Sequence, residues 1–176
     1  MHSTLRGSLQ MNRPVPDFSL PDQTGRIRRL SDYRGKITIV NFWSAECPWS
    51  ERADQSLLKI VEQFPEQVAL LPIASNLNES DGLIDGAICR RGIRFVLRDT
   101  GCGVAQAWQA QTTPQAFVID SSNILRYRGA VDDVTFRKAA APERFYVAEA
   151  VQALIDGRLP DVQETTPYGC AIVQIV

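Results

Sequence analysis

Histidine is almost missing from the 176 residues: His2 is the only one, in a loosely patterned N-terminal stretch. That shortage excludes histidine-dependent nucleophile triads and most catalytic metal sites. No apolar run approaches the roughly 20 residues of a membrane span, so no membrane association is expected. A charge excess is missing too. With 19 Lys and Arg against 20 Asp and Glu, the chain offers no basic footprint for nucleic acid. The first ten residues lack the apolar core of a signal peptide, which points to the cytoplasm, or to the periplasm or export if a leader was removed. Four cysteines, at positions 47, 89, 102 and 170, are too few and too scattered for a disulfide scaffold or a zinc site. Neither a metal nor a cofactor is expected.

What the chain does have is one stretch around which the rest is arranged. Ile37 to Trp43 is a short β-branched and aromatic run after a Gly-Lys break, the pattern of a buried strand. Ala53, Leu57, Ile60, Val61 and Phe64 then fall on one face at the helical period. Pro48 suits the first turn of that helix, where a missing N–H costs little. Cys47 therefore sits where a buried strand feeds a helix N-terminus, whose free N–H groups and dipole favour an anionic sulfur. Such positions lower a thiol pKa from about 8.5 to between about 3.5 and 7.5. The competing reading is a buried, inert thiol, since free cysteine is among the most buried residue types.

Residues 1–13 read as a flexible N-terminus, 14–158 as one folded domain, and 159–176 as a C-terminal tail packed on that domain. Arg26 to Leu30 suits a short edge strand, and Val68 to Ala74 a second apolar strand despite Pro72. Leu83, Ile84, Ala87 and Ile88 make a helical stripe, followed by a strand expected over Ile93 to Leu97. A short helix through Val104, Ala107 and Trp108 precedes a hairpin of Gln115–Asp120 and Ile124–Gly129. Val147, Ala148, Val151, Leu154 and Ile155 define the last helix, stopped by Gly157. Cys170 to Val176 is an apolar, strand-like run. This order implies an α/β fold with a central mixed β-sheet flanked by helices, largely parallel and closed by one antiparallel hairpin.

Four segments carry a resemblance: Pro16-Asp-Phe-Ser-Leu-Pro-Asp-Gln-Thr-Gly25, Leu30-Ser-Asp-Tyr-Arg-Gly-Lys36, Val40-Asn-Phe-Trp43 with Cys47-Pro48, and Thr112-Thr-Pro114 with Phe117-Val-Ile-Asp120. Over residues 14–130 the chain resembles the thioredoxin-like superfamily, in its redoxin (AhpC/TSA) branch of thiol–disulfide oxidoreductases and peroxiredoxins. The tail Thr166-Pro-Tyr-Gly-Cys-Ala-Ile172 is similar to a peroxiredoxin-like subgroup that ends in Gly-Cys-x-Ile. Three departures stand out. Ser50 replaces the second cysteine of a Cys-x-x-Cys motif, and Ser44 the extra cysteine three residues upstream, so no dithiol cycle runs along that helical turn. Of the peroxiredoxin Pro-x-x-x-Thr-x-x-Cys pattern, Ser44 stands for the threonine but Val40 replaces the proline. Pro114 falls where the activating arginine would be expected.

The resemblance implies a cis Thr113–Pro114 bond lying against Cys47, its backbone available to an extended substrate. Trp43 and Trp49 would wall the site, although core packing alone accounts for Trp43. Ser44, Glu46, Ser50 and Arg52 are candidate modulators. Glu46 is a solvated charge or a proton handler that raises the thiol pKa, and Arg52 a thiolate support or a solvated helix face. Cys170, at the subgroup's Gly-Cys position on a tail with reach, is the expected resolving thiol. The same tail equally fits an edge strand far from the site. Cys89, on a helix flank, and Cys102, opening the short helix, are the other candidates.

Three functions stay open. The first is a thiol–disulfide oxidoreductase with Cys47 as nucleophile and a distant resolving cysteine. The second is a peroxiredoxin-like thiol peroxidase, and the third a non-catalytic thioredoxin-fold module that binds thiols or peptides. The implied partners are protein or small-molecule disulfides and thiols, peroxides for the second reading, and a reductant such as a thioredoxin-like protein or glutathione.

Overall fold

The structure is a computed structural model that describes residues 9–138 and 141–174. Two short strands, β1 (Ser19–Pro21) and β2 (Ile27–Arg29), pair as an antiparallel ribbon. Its turn is built on buried Asp22, which accepts the Thr24 and Arg26 N–H groups and pairs with Arg28 at 2.9 Å. The main sheet comprises β3 (Ile37–Trp43), β4 (Val68–Ala74), β5 (Leu97–Arg98), β7 (Gln115–Ile119) and β8 (Leu125–Gly129), in the order β5-β4-β3-β7-β8. A separate two-residue strand, β6 (Thr112–Thr113), pairs antiparallel with β9 (Cys170–Ala171) of the tail.

All seven residues of β3 are buried, because helices cover both sides of it. On one side lie α1 (Pro48–Gln63) and α4 (Tyr146–Ile155), which pack Leu57, Ile60, Val147 and Val151 on Ile39 and Val118. Each such aliphatic side chain contributes about 1.5–3 kcal/mol when fully buried. On the other side, α3 (Gly103–Ala107) and the N-terminal arm set Trp108, Phe18 and Leu9 against Val40, Phe42 and Phe117. The remaining helix, α2 (Asp81–Arg91), is capped by the Ser80 hydroxyl and packs Ile84, Ala87 and Ile88 on Trp43 and Ala74. Among the described residues no helix is long and apolar enough to cross a membrane.

The sheet is mixed rather than largely parallel. β3, β4 and β5 run parallel, whereas β7 enters antiparallel to β3 and β8 antiparallel to β7. Pro72 is tolerated inside β4 because β5 pairs only with Ile73 and Ala74, leaving no partner that would need the missing N–H. That same β5 is shorter than the expected Ile93–Leu97 strand. Ile93 and Val96 are buried as loop residues instead, and the Val96 N–H is taken by the Gln23 side chain.

At the N-terminal end the structure departs from the sequence-based reading, and at the C-terminal end the strand is shorter than the apolar run suggests. Residues 9–13 do not behave as a flexible segment: Leu9 is buried, the Asn12 N–H bonds the Leu125 carbonyl, and the Leu125 N–H bonds the Arg13 carbonyl. The edge of β8 supplies partners that no local pattern announces. Residues 1–8 lie outside the described residues. The tail first runs beside β8, with Arg128 N–H to Gln163 carbonyl and Thr165 N–H to Arg128 carbonyl. It forms a strand only at Cys170–Ala171, after which Ile172 turns into the core.

Gly129 makes that course possible. Its φ is +142°, and a Cβ there would stand 2.4 Å from the Thr165 carbonyl oxygen. Gly129→Ala is expected to cost about 1–3 kcal/mol as a strained backbone position, read as a lower thermal midpoint.

Candidate active site

Cys47 is the residue just ahead of α1, with Pro48 at the first helical position. Its sulfur is enclosed, leaving the residue 2 % exposed. The loop before it is held by side chains from three elements. The Ser44 hydroxyl accepts the Cys47 N–H at 3.1 Å and itself donates to buried Glu79. Glu79 also accepts the Ala45 N–H and the Asn76 amide. Ser50, one turn into α1, accepts the Ser44 N–H at 3.2 Å. Both hydroxyls that replace cysteines thus fasten the backbone around Cys47.

From below, Arg91 at the end of α2 donates to the Ser44 and Ala45 carbonyls. Its guanidinium pairs with buried Asp54 at 3.2 Å and lies over the Trp43 ring. Asp54 also accepts the Trp43 indole N–H at 3.0 Å. Burial pushes its carboxyl up to about 6, against the lowering effect of Trp43 and Arg91. Trp43 is therefore a core residue and walls no accessible surface. Its indole is turned under the loop because a polar partner, Asp54, waits there.

Opposite Cys47 stands the β6–β7 corner. The Thr113–Pro114 bond is cis, and the Cys47 thiol donates to the Thr113 carbonyl at 3.1 Å. Thr113 also pairs directly with Cys170 across the β6·β9 ladder, which brings the tail cysteine to the same sulfur. Burial raises the Cys47 thiol pKa, but the Cys170 thiol and N–H, the Ser50 N–H and the Thr113 hydroxyl outweigh it and bring the value below that of an ordinary thiol. The Thr113 hydroxyl is buried with no other partner among the described residues, so it is free to face a thiolate. Cys170 moves the opposite way, up to about 12, through burial, its bond to Cys47 and the nearby Glu79 charge. The two thiols are thus shifted in opposite directions, so Cys47 is the one that gives up its proton first.

The remaining candidates are placed as follows. Arg52 does not support the thiolate: both terminal guanidinium nitrogens donate to buried Asp132, at 3.1 and 2.8 Å. The Glu46 side chain is exposed on the loop. Trp49 is half-buried and packs edge-on against Phe136 and Tyr168, each with ring centroids 5.0 Å away. Cys89 is exposed on α2, away from the corner. Cys102 is buried in the core on the α3 side, donating to the Ser75 carbonyl at 2.9 Å, and burial raises its pKa.

Sequence reasoning passed over Glu79, Asp54, Arg91 and Tyr168. Glu79 lies in a polar loop and Arg91 at a helix end, both ordinary places for solvated charges. Only Asp54 left a trace, as a carboxylate on the apolar stripe side of α1, next to Ala53 and three residues before Leu57.

The AhpC/TSA family model matches residues 11–128, more than half of the chain. The thiol–disulfide oxidoreductase ResA of Geobacillus kaustophilus (strain HTA426) is 29% identical over 120 residues, 68% of this chain and 68% of that protein. The crystal structure of a hypothetical protein from Sinorhizobium meliloti 1021 superposes with a TM-score of 0.86 at 25% identity, covering 97% of each chain. The thioredoxin domain of a thiol–disulfide oxidoreductase from Bacteroides vulgatus gives 0.63 at 17% identity, over 85% of this chain and 98% of that one. The fold is thioredoxin-like, as the motifs implied.

Proposed function

This chain belongs to the AhpC/TSA family, and on that premise we propose that it is a thiol–disulfide oxidoreductase with Cys47 as nucleophile and Cys170 as resolving thiol. The observation that carries the reading is the juxtaposition: Cys170 lies opposite Thr113, whose carbonyl accepts the Cys47 thiol, and this neighbour lowers the Cys47 pKa while its own is raised. The similarity to ResA supports the reaction class.

In the first step the Cys47 thiolate attacks one sulfur of a disulfide R–S–S–R′, forms Cys47–S–S–R and expels R′S⁻. The negative charge at Cys47 is then gone. Two of the causes that raise the Cys170 pKa, its bond to Cys47 and the Cys47 charge, vanish with it. Burial still raises the Cys170 pKa, but the rise is smaller than before, so Cys170 is more acidic when there is a mixed disulfide to attack. It bonds the Cys47 sulfur and releases RS⁻, which takes up the Cys170 proton. The substrate gains two electrons, and the resulting Cys47–Cys170 disulfide awaits an external thiol reductant. Thr113 and Pro114 frame this sulfur, Ser44 and Ser50 hold its loop, and Trp49 borders it.

Among the described residues, the arginines near the site leave the peroxidase alternative no free cation at the sulfur. Arg52 is committed to Asp132, and Arg91 to Asp54 and two carbonyls. Peroxide consumption should therefore be slower than disulfide reduction at matched reductant.

The test separates the two thiols. Cys170→Ala removes the S–H donor, so the pH midpoint for Cys47 alkylation should move up toward the ordinary value of about 8.5. Cys170→Ser keeps a hydroxyl donor and should hold the midpoint low. Both variants should stop after one turnover, leaving a mixed disulfide visible by intact mass. Multiple turnovers in either variant would remove Cys170 from the cycle.

A further inference from the structure

The strand edge next to Cys47 is already occupied. A polypeptide that presents a disulfide to a sheet edge binds by adding a strand, with main-chain hydrogen bonds as its anchor. The edge beside the Cys47 sulfur is Thr112–Thr113 of β6, whose Thr113 carbonyl touches that sulfur. The tail fills it, with Cys170 opposite Thr113 and Ala171 opposite Thr112, extended by Ile172 N–H to the Gln111 carbonyl at 3.0 Å. The approach is so close that a Cβ on Gly169 would stand 2.1 Å from the Thr113 carbonyl oxygen and 3.0 Å from the Pro114 ring. Only glycine fits there.

Side chains on either side reinforce the seat. Tyr168 packs against Trp49 and accepts the Phe136 N–H at 2.8 Å, and Ile172 is buried among core residues. The result is a strand-shaped ligand with an aromatic residue two positions before the cysteine, glycine immediately before it, and an aliphatic residue two after. With this strand in place, Cys47 is nearly sealed.

We propose that the tail is a built-in occupant of the polypeptide groove, competing with extended polypeptide disulfides for the Thr112–Thr113 edge. The groove selects chains of the same pattern, with glycine before the reactive cysteine and an aromatic residue before that. Compact disulfides, which need no strand edge, reach Cys47 on a smaller opening of the tail than an extended polypeptide requires. This inference rests on the reading of Cys47 as nucleophile.

The experiment compares two disulfides that each form a mixed disulfide at Cys47, one small and one extended. The first is hydroxyethyl disulfide, and the second is the peptide Tyr-Gly-Cys-Ala-Ile joined through its cysteine to mercaptoethanol. Rates are read by intact mass in a Cys170→Ser background, so that only the first attack is measured. Gly169→Val, placed on that background, forces the tail off β6 without removing a core side chain. The peptide adduct should then form faster by about tenfold, the order set by one or two main-chain hydrogen bonds. The small disulfide should gain clearly less. Tyr168→Ala, which loosens the aromatic seat and leaves the groove untouched, should act in the same direction. It carries the test if Gly169→Val does not fold. An unchanged peptide rate, or equal acceleration of both probes, overturns the competition. No adduct at Cys47 with either probe in a folded variant overturns the nucleophile assignment as well.

Discussion

Cys47→Ser should abolish disulfide reduction, lowering the rate on the order of 10³-fold or more, as losing a nucleophile does elsewhere. The fold should survive, because serine is a favoured residue at a helix N-cap and its hydroxyl can still donate to the Thr113 carbonyl. An unchanged thermal midpoint together with lost activity is the expected signature. Site-resolved mass mapping is needed alongside, since exposed Cys89 will take up alkylating reagent whatever the state of Cys47. If Cys47→Ser still reduces disulfides at the parental rate, the nucleophile is another thiol.

Asp54→Ala is the second large effect, this time on stability. Asp54 and Arg91 form a pair in which the side chains are 6 % and 4 % exposed. Removing one partner of a buried pair leaves an uncompensated charge, at a cost of about 3–5 kcal/mol. The Trp43 indole N–H loses its acceptor in the same change. Chemical denaturation should show a midpoint shift at constant slope, and Cys47 alkylation should change as well, because Arg91 also grips the Ser44 and Ala45 carbonyls.

Asp54→Asn separates charge from shape. The Asp54 carboxyl is raised from its ordinary value to about 6, so between about pH 4 and 6 the folded state holds a proton the unfolded state has lost. The contribution to stability is therefore full below pH 4 and declines as pH rises through 6. Asparagine carries no such proton, and that part of the pH slope should be absent from the variant. A slope identical to the parent's would mean that Asp54 stays ionised throughout.

Much of the frame could be read directly from residue order. The Ile37–Trp43 strand and the α1 stripe are local periodicities, and burial against helices on both sides follows from an apolar run without alternation. The position of Cys47 ahead of Pro48 and the approach of Thr113–Pro114 to it follow from motif spacing joined to the family resemblance. The reach of its tail favours Cys170 over Cys89 and Cys102, although the same tail equally fits an edge strand elsewhere. The tail does form an edge strand, but on β6, beside the sulfur.

What the amino-acid sequence by itself determined is the set of elements and one candidate position at the strand–helix turn, because strand and helix periods and turn chemistry act over a few neighbours. The tertiary structure alone decided which distant groups surround that position. Glu79 and Arg91 lie 32 and 44 residues from Cys47, and both look like surface charges until packing turns them inward onto the same loop. Trp43 moved from the site wall to the core for the same reason, once Asp54 supplied a buried acceptor. Gly169 reads as an ordinary tail glycine. Its necessity exists only where two backbones, 56 residues apart in the chain, meet at Thr113 with no room for a side chain.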